Sequence, residues 1–131
     1  PVIGFGTDEL PAFYTARSGL GLEERADTAA EIAARLRAKW GLGLGGGVVV
    51  ANPIPAEMSM EPERINAAIE EALGRAAAAG IGGKETTPFL LAAVKELTGG
   101  ESLESNIALV LNNARLAAAI ARELAAGVPK L

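Results

Sequence analysis

The sequence has no cysteine and no histidine. Those two absences exclude disulfides, thiolate zinc sites, imidazole-ligated metals, cysteine nucleophiles and histidine-based triads. Any chemistry must use carboxylates, lysines, hydroxyls or amides, and any metal must be a hard cation held by oxygen. Aromatic residues are scarce, 4% of 131 residues, so Ala, Leu, Ile and Val must fill the core. Positive charge is not clustered. Twelve Lys and Arg against sixteen Asp and Glu leave a net charge of −4, which argues against a nucleic-acid surface. No apolar run reaches the roughly 18 residues of a membrane span, and no signal peptide is apparent. A soluble, cytoplasmic protein with neither membrane nor nucleic-acid partners is the expectation.

What is present is apolar: half the residues, enough for the core of one small domain. "VIGF" (Val2 to Phe5) reads as a buried strand between Pro and Gly. "GTDELPAFYTARSG" reads as a loop, with Thr7 and Asp8 as caps for one helical turn at Glu9 and Leu10. Asp27 is placed as the N-cap of a helix whose Ile32, Leu36 and Trp40 share one face and which Gly41 stops. Arg35, Arg37 and Lys39 suit its C-terminal end. "GLGLGGG" is expected to be a flexible hinge into "VVVAN", a strand whose three valines suggest burial on both faces, as in a parallel sheet. A second helix is placed from Glu61 to Ala79 with Pro62 in its first turn. A third follows "GIGGKETTP", capped by Thr86 or Thr87, and a fourth runs from a Ser102 cap to about Ala126. The order is α/β at the front and helical at the back. Two strands make a poor sheet, and the chain opens at Pro1 on a buried strand, so a piece of a longer chain is expected.

The glycines of "GLGLGGGVVV" follow a helix and precede a strand. A phosphate-binding loop needs the reverse order, so nucleotide binding is not assigned there. "GIGGKETTPF" sets Lys84 and Thr87 before a helix N-terminus, which suits an anion or, more simply, a capped turn with a solvated lysine. Asn52 ends the valine strand, where ligands bind in open parallel sheets, or else closes a turn before Pro53. The carboxylate pairs Asp8–Glu9, Glu23–Glu24 and Glu70–Glu71 read as caps or solvated faces. The last helix carries Asn106, Asn112 and Asn113 in an otherwise apolar run. At about 100° per residue, Asn106 and Asn113 share a face with Val110, and Asn112 lies beside Leu109 and Leu116. A buried amide needs a partner. Helix ties and a polar cavity are the two explanations.

Together, "PVIGFGTDELPAFYTARSG", "VVVANPIP", "GKETTPFLL", "ELTGG" and "SLESNIALVLNNARLAAAIA" resemble the pseudouridine-5′-phosphate glycosidases, also called indigoidine synthase A-like proteins. The match runs over essentially the whole chain and corresponds to the C-terminal portion of that family, residues 1–131 forming part of one larger domain. The resemblance implies an α/β fold with helices packed around a central sheet, a helix-rich C-terminal half, and a homotrimer. It implies an enzyme, of lyase or hydrolase type in nucleoside catabolism. The reaction is reversible cleavage of the C–C bond of pseudouridine 5′-phosphate to uracil and ribose 5-phosphate, through an imine on a lysine. A carboxylate would shuttle protons, and a manganese ion would sit on another carboxylate. The lysine, the glutamate and the metal-bearing aspartate belong to the family's N-terminal portion, so no metal ligand is assigned in this sequence. What carries over is an active-site asparagine, matched to Asn106, which would hydrogen-bond the sugar or the uracil. Asn112 and Asn113 are the other substrate-binding choices or helix ties, and Asn52, Lys84 and Thr87 are candidate site-lining residues. Alone, the chain is expected to be inactive. The rival expectations are a non-catalytic α-helical interaction domain and an enzyme of the same fold acting on another C-glycosyl or sugar-phosphate compound.

Overall fold

In a computed structural model that describes residues 1–127, three short strands form an all-parallel sheet in the order β2 (Arg25–Ala26), β1 (Val2–Phe5), β3 (Val49–Ala51). Val2 stands opposite Val49, and Gly4 is flanked by Arg25 and Ala51. The strand β2 was not foreseen, because two residues carry no alternation to read. The valine strand is parallel as expected but lies at the sheet edge, with Val49 57% exposed, so burial on both faces does not hold. Gly4 is buried, and a Cβ there would stand 2.2 Å from the Thr7 carbonyl oxygen. Only glycine lets the loop after β1 fold back this closely.

That loop holds no helical turn. Leu10 N–H donates to the Leu20 carbonyl and Leu22 N–H to the Asp8 carbonyl, each at 2.8 Å, so the chain doubles back as a hairpin-like bridge. Thr7 does cap, but it caps a turn, its Oγ1 accepting from Glu9 N–H at 3.1 Å.

The described residues also form four α-helices: α1 (Ala29–Gly41), α2 (Pro62–Ala78), α3 (Thr86–Leu97) and α4 (Glu101–Ala126). The cap of α1 is Thr28, not Asp27. Thr28 Oγ1 accepts from Glu31 N–H at 3.2 Å, and the Glu31 carboxylate accepts from Asp27 N–H at 2.8 Å. The T-x-x-E spacing resembles a capping box, except that Glu31 reaches past the cap to the N–H of the preceding Asp27. The glycine loop after α1 is not a free hinge. The Lys39 ammonium donates to the carbonyls of Leu44 and Gly46 at 3.1 Å each, and also to that of Gly45. Neither Thr86 nor Thr87 caps α3. A 3-10 turn (Gly83–Glu85) runs straight into it, leaving Glu85 at the N-cap and both threonines inside the helix. Ser102 is likewise inside α4, where Gly100, at φ +94°, takes the cap position.

Two apolar clusters result. Ile3, Ala26, Ile32 and Leu36 form one between the sheet and α1, with Val48, Val50, Ile120 and Leu124 packed against it. Ile65, Ala72, Ala93 and Val94 of the α2–α3 hairpin form the other, together with Tyr14 and Met60 from the loops that pack on it. The long helix α4 reaches both.

Candidate functional site

Because the strands are parallel, their carboxyl ends open on one side, where binding crevices of such sheets lie. Asn52 leaves β3 there, and the chain continues through Pro53 and Pro55 into a 3-10 turn (Ala56–Met58). This segment lies along α4 and is joined to it by side-chain hydrogen bonds. Asn52 Nδ2 donates to Asn113 Oδ1 at 3.0 Å. Asn112 Nδ2 donates to the Pro53 carbonyl at 3.0 Å. Ser105 Oγ donates to the Met58 carbonyl at 2.9 Å. Ser105 and Asn112 are seven residues apart and share a face, which explains why one segment can meet both.

Asn106 is placed differently. It is half-buried and lines a cavity of about 200 Å³ with Tyr14, Leu91, Ala92, Lys95, Ser102 and Leu103. Among the described residues its amide makes no hydrogen bond to the protein, unlike its two neighbours in the helix. The stripe Asn106–Val110–Asn113 is largely open, with Val110 58% exposed, because α1 meets α4 further along, at Ile120 and Leu124.

Tyr14, which sequence reading passed over, is the other informative residue. It is buried, stands edge-on to Phe13 at 4.7 Å, and faces Ser102. Burial pushes its hydroxyl above the usual tyrosine range, and the neighbouring Ser102 side chain opposes part of that shift. The phenol is therefore protonated at neutral pH and can donate.

Thr87 lines an adjoining apolar groove of about 350 Å³ that shares Tyr14 and Leu91 with the Asn106 cavity. Lys84 is exposed in the 3-10 turn before α3. That turn already occupies the Glu85 N–H, donated to the Gly82 carbonyl at 3.3 Å, and brings a carboxylate to the helix start, so the place is poorly suited to an anion. Asn52 and Asn113 also border an apolar groove of about 480 Å³ between β3, α1 and α4.

A polar cleft of about 240 Å³ lies at the carboxyl ends of the strands, between Thr7, Asp8, Glu9, Arg17, Arg25 and Pro53. Of its four charged side chains, Asp8 and Arg25 pair with each other. Arg25 bridges Asp27 at 2.8 Å and Asp8 at 2.6 Å, contacts that strengthen its hold on its proton. The Glu9 carboxylate accepts from Gly19 N–H at 3.0 Å. A hard cation such as manganese needs several convergent oxygen ligands. Among the described residues no group of three or more Asp or Glu gathers to hold one, so these residues do not fit a metal centre. Nor, among them, is any helix long and apolar enough to cross a membrane.

Comparison with known proteins places this geometry. The family model for indigoidine synthase A-like protein matches residues 1–123. A pseudouridine-5′-phosphate glycosidase of Clostridium botulinum is 57% identical over 124 residues, covering 95% of this chain and 40% of that protein. A protein of the same name from Geobacillus kaustophilus is 58% identical, over 95% of this chain and 41% of its own length. Among solved structures, the prealnumycin C-glycosynthase AlnA in complex with ribulose 5-phosphate superposes with a TM-score of 0.84 at 30% identity, covering 96% of this chain and 41% of that one. The chain thus spans about 40% of the length of the curated relatives it matches, and the fold shared with the solved structure is the expected α/β one.

Proposed function

The chain belongs to the indigoidine synthase A-like family, and we propose that it forms one wall of a pseudouridine-5′-phosphate glycosidase active site, as the C-terminal portion of a larger domain. The observation that carries this reading is identity of 57–58% to glycosidases over nearly the whole chain. The reaction is cleavage of the C–C bond between uracil and ribose 5-phosphate. Within it, Asn106 hydrogen-bonds the sugar or the uracil from the middle of α4. Its amide offers both a donor and an acceptor, which suits a ring carrying alternating N–H and carbonyl groups. Tyr14, neutral and buried at the same cavity, supplies a fixed hydroxyl. The imine-forming lysine and the proton-shuttling glutamate, with the manganese ion and its aspartate, lie outside this chain. A homotrimer in the cytoplasm completes the reading.

The test is uracil release from pseudouridine 5′-phosphate, read for a full-length protein carrying this chain and for the 131-residue chain alone. Turnover is expected from the first and not from the second. Absence of turnover by the full-length protein overturns the reading, and a folded protein that also fails to bind ribose 5-phosphate would instead be the helical interaction domain. The likeness to a C-glycosynthase favours one second reading, a different C-glycosyl substrate on the same fold. It predicts turnover of another C-glycosyl phosphate in preference to pseudouridine 5′-phosphate.

A further inference from the structure

We propose that Asn112 is a positioning residue: it acts on the reaction through Asn106 and does not touch the substrate. This rests on the reading of Asn106 above. Two hydrogen bonds straddle Asn106 on α4. Ser105, immediately before it, donates to the Met58 carbonyl at 2.9 Å, and Asn112, six residues after it, donates to the Pro53 carbonyl at 3.0 Å. Both acceptors belong to one short segment that leaves β3 at the carboxyl edge of the sheet, and two prolines stiffen it. The first half of α4 is therefore locked in rotation and in height against the sheet edge. Rotation matters most. A helix residue moves by about 100° around the axis for each residue of slippage, so a small twist would turn the Asn106 amide out of its cavity. Apolar packing resists such a twist weakly, because it has no direction. A hydrogen bond to a fixed carbonyl resists it strongly.

The amide of Asn112 is suited to this and poorly suited to a ligand. It is half-buried, and its donor is directed at the Pro53 carbonyl. Pro53 in turn borders the polar cleft at the strand ends. One amide thus couples the α4 wall to the sheet-edge crevice, and misplacing catalytic contacts by about 1 Å is known to cost up to roughly a hundredfold in rate.

The test is a double-mutant cycle in the full-length protein that carries this chain, with kcat/KM for pseudouridine 5′-phosphate as the readout. Asn112→Ala is expected to lower kcat/KM by about fivefold to twentyfold, a hydrogen bond's worth of orientation. Asn112→Asp, which keeps the size but cannot donate, is expected to lose as much, and Asn112→Gln, which keeps the donor, to recover part of it. In an Asn106→Ala background, Asn112→Ala is expected to cost less than a further twofold. The two side chains lie about 9 Å apart along the helix, a separation at which independent effects normally add in free energy. An effect of Asn112→Ala that multiplies with that of Asn106→Ala overturns the inference, as does an Asn112→Asp protein with wild-type kcat/KM. A wild-type protein without turnover overturns the function on which both rest, so the two failures are told apart.

Discussion

The two halves of α4 are held by different physics. Its second half is fixed mainly by apolar side chains, Ile120 and Leu124 against the cluster of Ile3, Ile32 and Leu36, with one polar tie where the exposed Arg37 guanidinium donates to the Glu123 carbonyl at 2.9 Å. Its first half is fixed by polar atoms: Ser102 N–H on Thr98 Oγ1, Ser105 Oγ on the Met58 carbonyl, and the amides of Asn112 and Asn113 on the segment after β3. Apolar burial contributes most of the energy and tolerates sliding. Hydrogen bonds contribute less and specify orientation. The candidate substrate residue Asn106 sits in the half where orientation is specified. The three asparagines in an apolar helix are explained by that division: two tie the helix to its neighbour, and the third faces a cavity.

Breaking the apolar half should have the largest effect. Ile32 is completely buried between α1, α4 and the sheet, so Ile32→Ala is expected to destabilise by about 2–5 kcal/mol, read as a lowered urea midpoint. The polar half should yield less. Ser105→Ala leaves the Met58 carbonyl without its partner, and a loss of about 1–2 kcal/mol is expected from the same measurement. The comparison sharpens if that smaller loss of stability comes with the larger loss of turnover.

Tyr14 adds a pH dependence. Its pKa is raised in the folded protein, so the fold favours the protonated phenol. The stability it contributes is complete below the unfolded value near 10 and disappears as pH climbs through the raised folded value. Tyr14 is the chain's one tyrosine. The difference in absorbance near 295 nm between the wild-type protein and Tyr14→Phe is expected to titrate above that of free tyrosine, and a midpoint at or below it would refute the assignment. The smallest effect is expected at the exposed pair of Arg64 and Glu101, at the start of α4. Glu101→Gln should cost about 0.5 kcal/mol or less, and the cost should vanish in high salt.

Much of the fold is legible in the sequence. Periodicity places α1 through α4, and the short apolar runs place β1 and β3. The misses have physical causes. Arg25–Ala26 is too short to show a pattern, and its strand character comes from its neighbour β1. Asp27 and Thr28 are both good cap residues by type, and only the T-x-x-E spacing to Glu31 singles out Thr28. Gly100 is the start of α4 because it tolerates a positive φ, a property that a search for hydroxyl caps overlooks. The site is less legible. Asn52, Pro53 and Met58 meet their α4 partners across 47 to 61 residues of sequence, which no local pattern records. Tyr14 looked like part of a loop, and only the packing of the α2–α3 hairpin around it reveals a buried phenol beside Asn106.

The central claim is that Asn106 meets the substrate from the wall that this chain supplies. The most direct measurement is kcat/KM for pseudouridine 5′-phosphate in a full-length protein carrying Asn106→Ala, with its thermal midpoint recorded alongside. The account predicts a loss of roughly tenfold to a hundredfold, the scale of one substrate hydrogen bond, with the midpoint nearly unchanged, since the Asn106 amide has no protein partner among the described residues. A variant that turns over at the wild-type rate would contradict it.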